Sequence, residues 1–249
     1  MELNTIYNED CLDGMKRIPD KSIDMILCDL PYGTTQNKWD SIIPLEPLWE
    51  QYRRIIKERG AVVLTGQGLF SAELMLSNKR MYRYSLIWDK VLSSGFLNAN
   101  RMPLRSHEDV LVFYKKLPTY NPQKTLGKKN HSKGVKKENE NNNYGEFGFV
   151  DNSEKLGDMK HPKSIITFSK PHPSVSVHPT QKPTKLFEWL INSYTNEGET
   201  VLDNCMGSGT TAIACLNTGR QYIGFELDKD YYNIAQDRIK NHEQQLTLV

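Results

Sequence analysis

The chain has 249 residues, of which 25% are charged and 38% are hydrophobic, and its formal net charge is +2. This composition is that of a soluble globular protein, and the charge by itself does not require a polyanionic partner. No window approaches 18 continuous apolar residues, so no membrane span is expected.

Alternating apolar and amphipathic segments predict the main elements. Six predicted strands, several of them near-continuous apolar runs typical of buried parallel strands, cover residues 23–28, 61–65, 84–88, 110–114, 201–203 and 222–227. Predicted helices cover residues 45–57, 184–194, 210–217 and 230–242, with Thr184 expected as an N-cap. Such alternation predicts a doubly wound α/β fold.

Residues 117–177 break this alternation, because they are rich in Asn, Lys, Gly and Pro and only residues 164–168 look strand-like. Loops of this length in compact domains are usually functional or disordered. We interpret this segment as an inserted, partly ordered region. At its start, the overlapping stretch from Lys115 to Lys137 carries eight lysines and no acidic residue, which fits either a solvated loop or a phosphate-binding surface.

The four cysteines, Cys11, Cys28, Cys205 and Cys215, do not form a paired C-x-x-C set. They are interpreted as reduced residues of a cytoplasmic protein, which line its core or a site, and no zinc site is expected.

A glycine motif follows the predicted strand that ends at Asp203. Gly207, Ser208 and Gly209 predict a tight turn before a helix that begins at Thr210, and the next strand ends at Glu226. An acid at that strand end can hold two ribose hydroxyls. Because a carboxylate at position 203 would repel a pyrophosphate and suits an amino-acid moiety, the motif favours S-adenosylmethionine over a dinucleotide.

A second motif, Asp29-Leu30-Pro31-Tyr32, ends the apolar run 23–28. A carboxylate, a proline carbonyl and an aromatic face within four residues can together hold a planar aromatic amine. If the strands before Asp29 and Asp203 are neighbours, both motifs face one crevice at the carboxyl ends of the sheet. With the strand ending at Glu226 and an N-terminal strand around Ile6 beside them, Asp10 would lie near Glu226.

Together these motifs resemble the amino-methyltransferases of the DNA N6-adenine and N4-cytosine type. Asp29 to Tyr32 resembles the family's D/S-P-P-Y motif, with Leu30 in place of the first proline. The segment around Asp10 is similar to its G-D-C, and His178 to Pro183 is similar to the segment that helps to wrap the methionine end. The order of the motifs resembles the beta class, a circular permutation of the common arrangement.

The resemblance implies a Rossmann-like methyltransferase sheet with catalytic residues Asp29, Pro31 and Tyr32. The cofactor-binding residues that it implies are Asp10, His178, Pro179, Thr180, Gln181, Lys182, Asp203, Cys205, Gly207, Ser208, Gly209, Thr210 and Glu226. It places target recognition in residues 117–177, between a catalytic half at 1–116 and a cofactor-binding half at 178–249. Candidate phosphate contacts there are Lys124, Lys128, Lys129, Lys133, Lys136 and Lys137.

The function expected from this resemblance is transfer of a methyl group to N6 of adenine in double-stranded DNA, with base flipping, in the manner of restriction-modification enzymes. Asp at position 29 favours adenine by resemblance only. The alternatives are an N4-cytosine enzyme, an RNA or protein amide methyltransferase, and a catalytically silent DNA-binding homologue. The resemblance also suggests a homodimer.

Overall fold

The computed structural model describes residues 1–33, 41–128, 158–170 and 181–246. Two compact units are present, one formed by Met1–Asn121 with Ser164–Val249 and the other by Pro122–Lys163. None of the helices within the described ranges is long and apolar enough to cross a membrane.

An eight-stranded sheet with the order β1-β10-β9-β2-β3-β5-β4-β8 forms the centre of the larger unit. Its strands are β1 (Thr5–Tyr7), β2 (Ile23–Cys28), β3 (Ile56–Gly66), β4 (Tyr82–Ser94), β5 (Arg105–Phe113), β8 (Ile165–Thr167), β9 (Thr200–Asp203) and β10 (Gln221–Phe225). In the smaller unit, β6 (Thr125–Leu126) pairs with β7 (Met159–Lys160). β8, which lies within the predicted insert 117–177, pairs with β4 of the main sheet.

In the described part of the chain, these strands are accompanied by the helices α1 (Cys11–Met15), α2 (Leu45–Ile55), α3 (Leu69–Ser77), α4 (Thr184–Tyr194), α5 (Thr210–Asn217) and α6 (Lys229–Leu246). In α2, the apolar residues Leu48, Tyr52 and Ile55 are fully buried, as a helical period of 3.6 residues requires. The prediction of Thr184 as an N-cap was wrong. Pro183 occupies the cap position of α4, and its φ of −64° suits the entry of the chain into a helix.

The sheet has apolar cores on both faces, which explains the continuous apolar run of β2. Met25 and Leu27 belong to one core cluster, whereas Ile26 and Cys28 belong to the other. Successive side chains of a strand point to opposite faces, so a strand covered on both sides needs apolar residues at every position.

The sheet is mixed rather than wholly parallel, which differs from the interpretation of the apolar runs. β5 is antiparallel to both β3 and β4, while the other pairs of neighbouring strands in this sheet run parallel. The short connection between Ser94 and Arg105 explains why β4 and β5 are antiparallel, because a parallel pair needs a longer crossover.

β2 and β9 are parallel neighbours, so the condition under which both motifs face one crevice is met. β2 leads through α2 to β3 on one side, and β9 leads through α5 to β10 on the other. β1 pairs with β10, which brings the N-terminal strand to the edge of the sheet beside the strand that ends before Glu226. The gap between β2 and β9 is therefore the topological switch point, where an open α/β sheet binds its ligands.

Candidate active site

A pocket of about 900 Å³ opens at the carboxyl ends of β2, β9 and β10. The predicted site residues that line it are Asp10, Asp29, Pro31, Tyr32, Gln181, Lys182, Asp203, Cys205, Gly207, Ser208, Thr210 and Glu226. Gly209 lies in the same turn without lining the pocket. His178, Pro179 and Thr180 lie outside the described residues. The fold thus brings together motifs that are about 170 residues apart in the chain.

Asp29 is held from both sides of its carboxylate. Nζ of Lys182 donates a hydrogen bond to Oδ2 at 2.7 Å. The Tyr32 hydroxyl donates to Oδ1 at 3.0 Å, and the Thr65 hydroxyl donates to the same oxygen. With 24% of its side chain exposed, Asp29 still faces the pocket. An ion-paired carboxylate fixed in this way can accept further hydrogen bonds from a ligand amine.

Lys182 belongs to a buried network of alternating charges. Its side chain is only 8% exposed, and Nζ lies 3.2 Å from Oε2 of Glu108. Lys90, which is 2% exposed, pairs with Oε1 of Glu108 at 3.2 Å. Burial opposes the charge on Lys182, but the carboxylates of Asp29 and Glu108 outweigh it and raise the pKa of the ammonium.

The carboxyl of Glu108 responds to the same network. Burial alone would raise its pKa, but the two ammonium groups of Lys182 and Lys90 outweigh burial and hold the pKa below its usual range. The four groups therefore form a chain of two cations and two anions along the wall of the pocket. A buried charge is tolerated only when it is paired in this manner.

The ring of Tyr32 lies between an aromatic and a cationic neighbour. Its centroid is 5.0 Å from that of Phe70 and 5.6 Å from Nζ of Lys182. Burial, followed by the charges of Asp29 and Glu108, raises the pKa of the phenol well above its ordinary value, so the hydroxyl stays protonated. Leu30, with 3% exposure, packs into a core cluster, so the unusual residue of this motif contributes to the hydrophobic core.

Asp203 ends β9 and organises the glycine turn. Its Oδ1 accepts a hydrogen bond from the backbone N–H of Cys205 at 3.0 Å, and Oδ2 accepts one from the hydroxyl of Thr211. The residue is 3% exposed, and burial raises its pKa to about 6. The carboxylate is thus largely ionised at neutral pH and adds negative charge to this end of the pocket.

The turn itself requires glycine at two positions. Gly207 has φ +54° and Gly209 has φ +81°, a region that favours glycine. A Cβ at Gly209 would also lie 3.2 Å from Cβ of Ala235 in α6, so glycine allows the turn and this helix to pack closely. From α6, Arg238 donates to the hydroxyls of Ser208 and Thr210, each at 3.2 Å, and so fixes the start of α5.

Glu226 and Asp10 add two more carboxylates at the same end. Oε2 of Glu226 accepts a hydrogen bond from the N–H of Gly207 at 2.7 Å. Asp10 is the N-cap of α1, where its Oδ1 accepts from the N–H of Leu12 at 2.8 Å. The negative charge is therefore concentrated around the glycine turn, and the buried lysines lie at the Asp29 end.

Comparison with known proteins identifies the family. A sequence model of the N6/N4 methyltransferases, described as DNA methylase, matches residues 23–237. The Type II methyltransferase M.BglII of Bacillus subtilis is 32% identical over 263 residues, which cover 94% of this chain and 68% of the relative. The chain belongs to the N6/N4 DNA methyltransferase family.

Solved structures support the same fold for this methyltransferase. The M1.HpyAVI–SAM complex has a TM-score of 0.65 and 24% identity, and the match covers 94% of this chain and 98% of that one. The PvuII DNA methyltransferase, which is cytosine-N4-specific, has a TM-score of 0.66 and 14% identity over 97% of this chain and 91% of that one. The predictions of family and of fold class are confirmed. S-adenosylmethionine is the methyl donor of this family, as expected.

The residues of this methyltransferase fit S-adenosylmethionine. The sulfonium and the ammonium of this ligand are cationic, and Asp10, Asp203 and Glu226 line the end of the pocket where the glycine turn lies. A Cβ placed on Gly207 would meet only the carbonyl oxygen of Cys205, at 4.0 Å, so the backbone is open to a ligand there. The volume of about 900 Å³ is within the range of cofactor sites.

Cys205 is held in a thiol cluster under the pocket. Nδ2 of Asn204 lies 3.4 Å from Sγ of Cys205 and 3.6 Å from Sγ of Cys11. Asn204 in turn accepts a hydrogen bond from the buried hydroxyl of Tyr52. The thiols are protonated, since the Cys205 hydrogen bond and burial raise the pKa of Cys11 and burial raises that of Cys28 to about 12.

Sequence reasoning missed several residues of the site. Glu108, which lies within β5 on the pocket wall, was not among the site residues predicted from sequence. Lys90, Thr65 and Arg238 were not singled out. Lys90 carried no signal of its own, because it lies beyond the predicted strand 84–88 and its burial becomes apparent only in the folded structure.

The predicted DNA-contacting lysines are only partly described. Lys124 and Lys128 lie in the smaller unit, on either side of β6, and Lys128 is exposed. Lys129, Lys133, Lys136 and Lys137 lie outside the described residues.

Proposed function

We propose that this protein transfers a methyl group from S-adenosylmethionine to the exocyclic N6 of adenine in duplex DNA. The observation that carries the proposal is the Asp29 carboxylate, fixed by Lys182 and Thr65 at one end of a pocket whose other end is lined by Asp10, Asp203 and Glu226. One end suits an aromatic amine and the other suits a cationic methyl donor.

At the amine end, Asp29 and Pro31 orient the substrate nitrogen. An exocyclic amine is a poor nucleophile because its lone pair is delocalised into the ring. Hydrogen bonds from the amine to the Asp29 carboxylate and to the Pro31 carbonyl favour a pyramidal nitrogen, whose lone pair is then directed toward the methyl group. Much of the rate comes from this positioning. The proton that the methylated nitrogen must lose has Asp29 as its nearest acceptor.

Tyr32 provides the face against which the base lies. Its hydroxyl is tied to Asp29, so the ring and the carboxylate keep a fixed relation. Phe70 supports the ring from one side at a centroid distance of 5.0 Å. A base within a duplex cannot reach a pocket of this kind, so the proposal includes extrusion of the target nucleotide.

At the cofactor end, the bound donor supplies an electrophilic methyl group on a sulfonium. Asp203 would attract its amino-acid moiety, Glu226 would accept hydrogen bonds from its ribose, and Asp10 would face its adenine. Gly207 and Gly209 leave the backbone accessible. We also include among the cofactor contacts the pocket-lining residues Gln181, Cys205, Ser208 and Thr210. His178, Pro179 and Thr180 are included by resemblance.

Lys182 takes a different role from the one that its sequence segment implied. Its ammonium ends on Asp29 and Glu108, so we assign it to the positioning of the amine-binding carboxylate. Since Lys90 neutralises Glu108 from the opposite side, the positive charge of Lys182 remains available to Asp29.

Cytosine N4 is the second candidate target, because the PvuII enzyme, cytosine-N4-specific, shares the fold at a TM-score of 0.66. Asp at position 29 supports adenine through the resemblance of this motif. We further propose that residues 117–177 recognise the DNA between the catalytic half, 1–116, and the cofactor-binding half, 178–249. Lysines in this region would neutralise phosphates. We also propose a Type II modification role, because relatives such as M.BglII and M.HpaI are named Type II methyltransferases, and a cytoplasmic location.

The test of substrate class is transfer of a tritiated methyl group from S-adenosylmethionine to mixed-sequence duplex DNA, to RNA and to protein in parallel. Label in DNA alone is expected. Label in RNA or protein alone would overturn the proposal, and the absence of label in all three, together with normal cofactor binding, would favour a silent homologue.

A further inference from the structure

The connection between β4 and β5 exposes an unusual amount of apolar surface beside the pocket. We call residues 91–102 the hairpin tip. Its exposed large apolar side chains are Val91, Leu92, Phe96, Leu97 and Met102, with exposures from 50% to 101%. Large apolar surfaces concentrated in one segment mark interaction sites more often than chance exposure does.

The hairpin tip starts and ends at the wall of the pocket. Lys90, Ser94 and Arg105 line the pocket, and Ser94 pairs with Arg105 at the base of the connection. Between these two residues the chain forms a short 3₁₀ turn, Phe96–Asn98, which carries the two most exposed side chains of the tip. A molecule that delivers a base to Asp29 therefore passes next to this segment.

The charge of the hairpin tip indicates what it contacts. From Lys90 to His107 there is no acidic residue, and Arg101 and Arg105 are both exposed. In DNA, apolar side chains can contact the faces of stacked bases, and flanking arginines can contact the neighbouring phosphates. A carboxylate in this segment would repel the phosphates, and none is present. A second copy of the chain is the less favourable occupant, because a twofold contact through this segment would bring like charges together.

We propose that the hairpin tip enters the DNA duplex beside the target base, where Phe96 and Leu97 occupy the space that the extruded base leaves. Arg101 contacts a neighbouring phosphate. Apolar wedges of this type unstack base steps at a cost of a few kcal/mol, which the new contacts must offset. The inference rests on the proposed function, since a base that enters the pocket leaves a gap in the duplex.

The test compares two duplexes that carry the sequence methylated by the wild-type enzyme. In one the target base is paired, and in the other it lies opposite an abasic site, where little energy is needed to extrude it. Single-turnover methyl transfer is measured for Phe96→Ala, Leu97→Ala and the double variant. Leu76→Ala, which removes a 62% exposed leucine from α3, is the matched control.

We expect the tip variants to be slower on the paired duplex by roughly 10- to 100-fold and to stay within about threefold of wild type on the abasic duplex. Leu76→Ala should match wild type on both. Equal losses on the two duplexes, or no loss on either, would overturn the role of the tip while leaving the proposed function intact. No transfer by the wild type to any DNA would overturn the proposed function itself.

Sedimentation of the wild type and of the double variant separates DNA contact from self-association. The same mass for both proteins supports the proposal. A dimer that dissociates in the double variant would show that the tip is an interface between copies, and would overturn it.

Discussion

Nζ of Lys182 lies 2.7 Å from Oδ2 of Asp29, although the two residues are 153 positions apart. The segment of Lys182 resembles a cofactor-wrapping motif, yet its side chain ends on the carboxylate proposed to hold the amine. A buried ion pair thus joins two distant segments of the chain at the Asp29 end of the pocket, and the position of the Asp29 carboxylate depends on Lys182.

Replacement of Lys182 tests this link. Lys182→Met is expected to lower the maximal rate of methyl transfer by about 100-fold, because Asp29 loses the donor that fixes it. The affinity for S-adenosylmethionine, measured by calorimetry, should change little. The matched control is Lys185→Met, whose side chain is 80% exposed and pairs only with Glu188. A large loss of cofactor affinity with an unchanged rate would instead return Lys182 to the cofactor-wrapping role.

Stability should fall in the same variant. Without Lys182, Glu108 loses one of its two ion-pair partners and keeps the pair with Lys90, and Asp29 loses its ion pair. Removal of one partner from a buried ion pair costs about 3 kcal/mol. Denaturant unfolding of Lys182→Met should therefore show a lower midpoint than wild type, and Lys185→Met should not. An unchanged midpoint would mean that the Lys182 ion pairs do not contribute to the stability of the fold.

The two motifs should be separable by mutation. Asp29→Ala is expected to abolish methyl transfer while leaving the affinity for S-adenosylmethionine within a few-fold of wild type, because the cofactor lies at the opposite end of the pocket. Calorimetry and a transfer assay on the same preparation provide the comparison. Lost binding with merely weakened transfer would contradict the roles assigned to the two ends.

Gly207→Val should show the reverse pattern. At φ +54°, a β-branched residue is strained, and its side chain would occupy the space proposed for the cofactor. Binding of S-adenosylmethionine should be lost. Gly198→Val is the control for strain alone, since Gly198 has φ +79° in a loop outside the pocket. Equal binding defects in both variants would point to misfolding rather than to a blocked site.

Cofactor affinity should depend on pH through Asp203. Burial raises the pKa of this carboxyl from 3.8 to about 6, so the folded protein retains the proton at a pH where the unfolded chain has lost it. The stability of the fold therefore decreases as the pH rises from 3.8 to about 6. Above about pH 6 the carboxyl is ionised, and its negative charge strengthens the attraction for a cationic ligand.

The expected result is that affinity for S-adenosylmethionine is about tenfold weaker at pH 5 than at pH 7. Asp203→Asn, which retains the shape of the side chain, should bind weakly with little pH dependence over this range. A wild-type affinity that stays constant from pH 5 to pH 7 would show that Asp203 does not interact with the charge of the ligand.

Residues at strand ends were predictable from sequence, because apolar runs fix the strands and the fold then fixes where the strands end. Asp29, Asp203 and Glu226 were found in this way. Glu108 and Lys90 could not be paired, because they meet only through the antiparallel register of β4 and β5, which the sequence pattern did not specify. The contact between Lys182 and Asp29 depends on where residues 181–183 lie relative to the end of β2, and no local spacing encodes that.

The most direct test of the central claim is the identity of the methylated nucleoside. Wild-type protein, S-adenosylmethionine with a labelled methyl group and duplex DNA are incubated, the DNA is digested to nucleosides, and the label is assigned by chromatography and mass spectrometry, with Asp29→Ala as the inactive control. If the target is N6 of adenine, the label is found in N6-methyladenine with the wild type and in no nucleoside with the variant. Label in N4-methylcytosine, or equal label with Asp29→Ala, would contradict it.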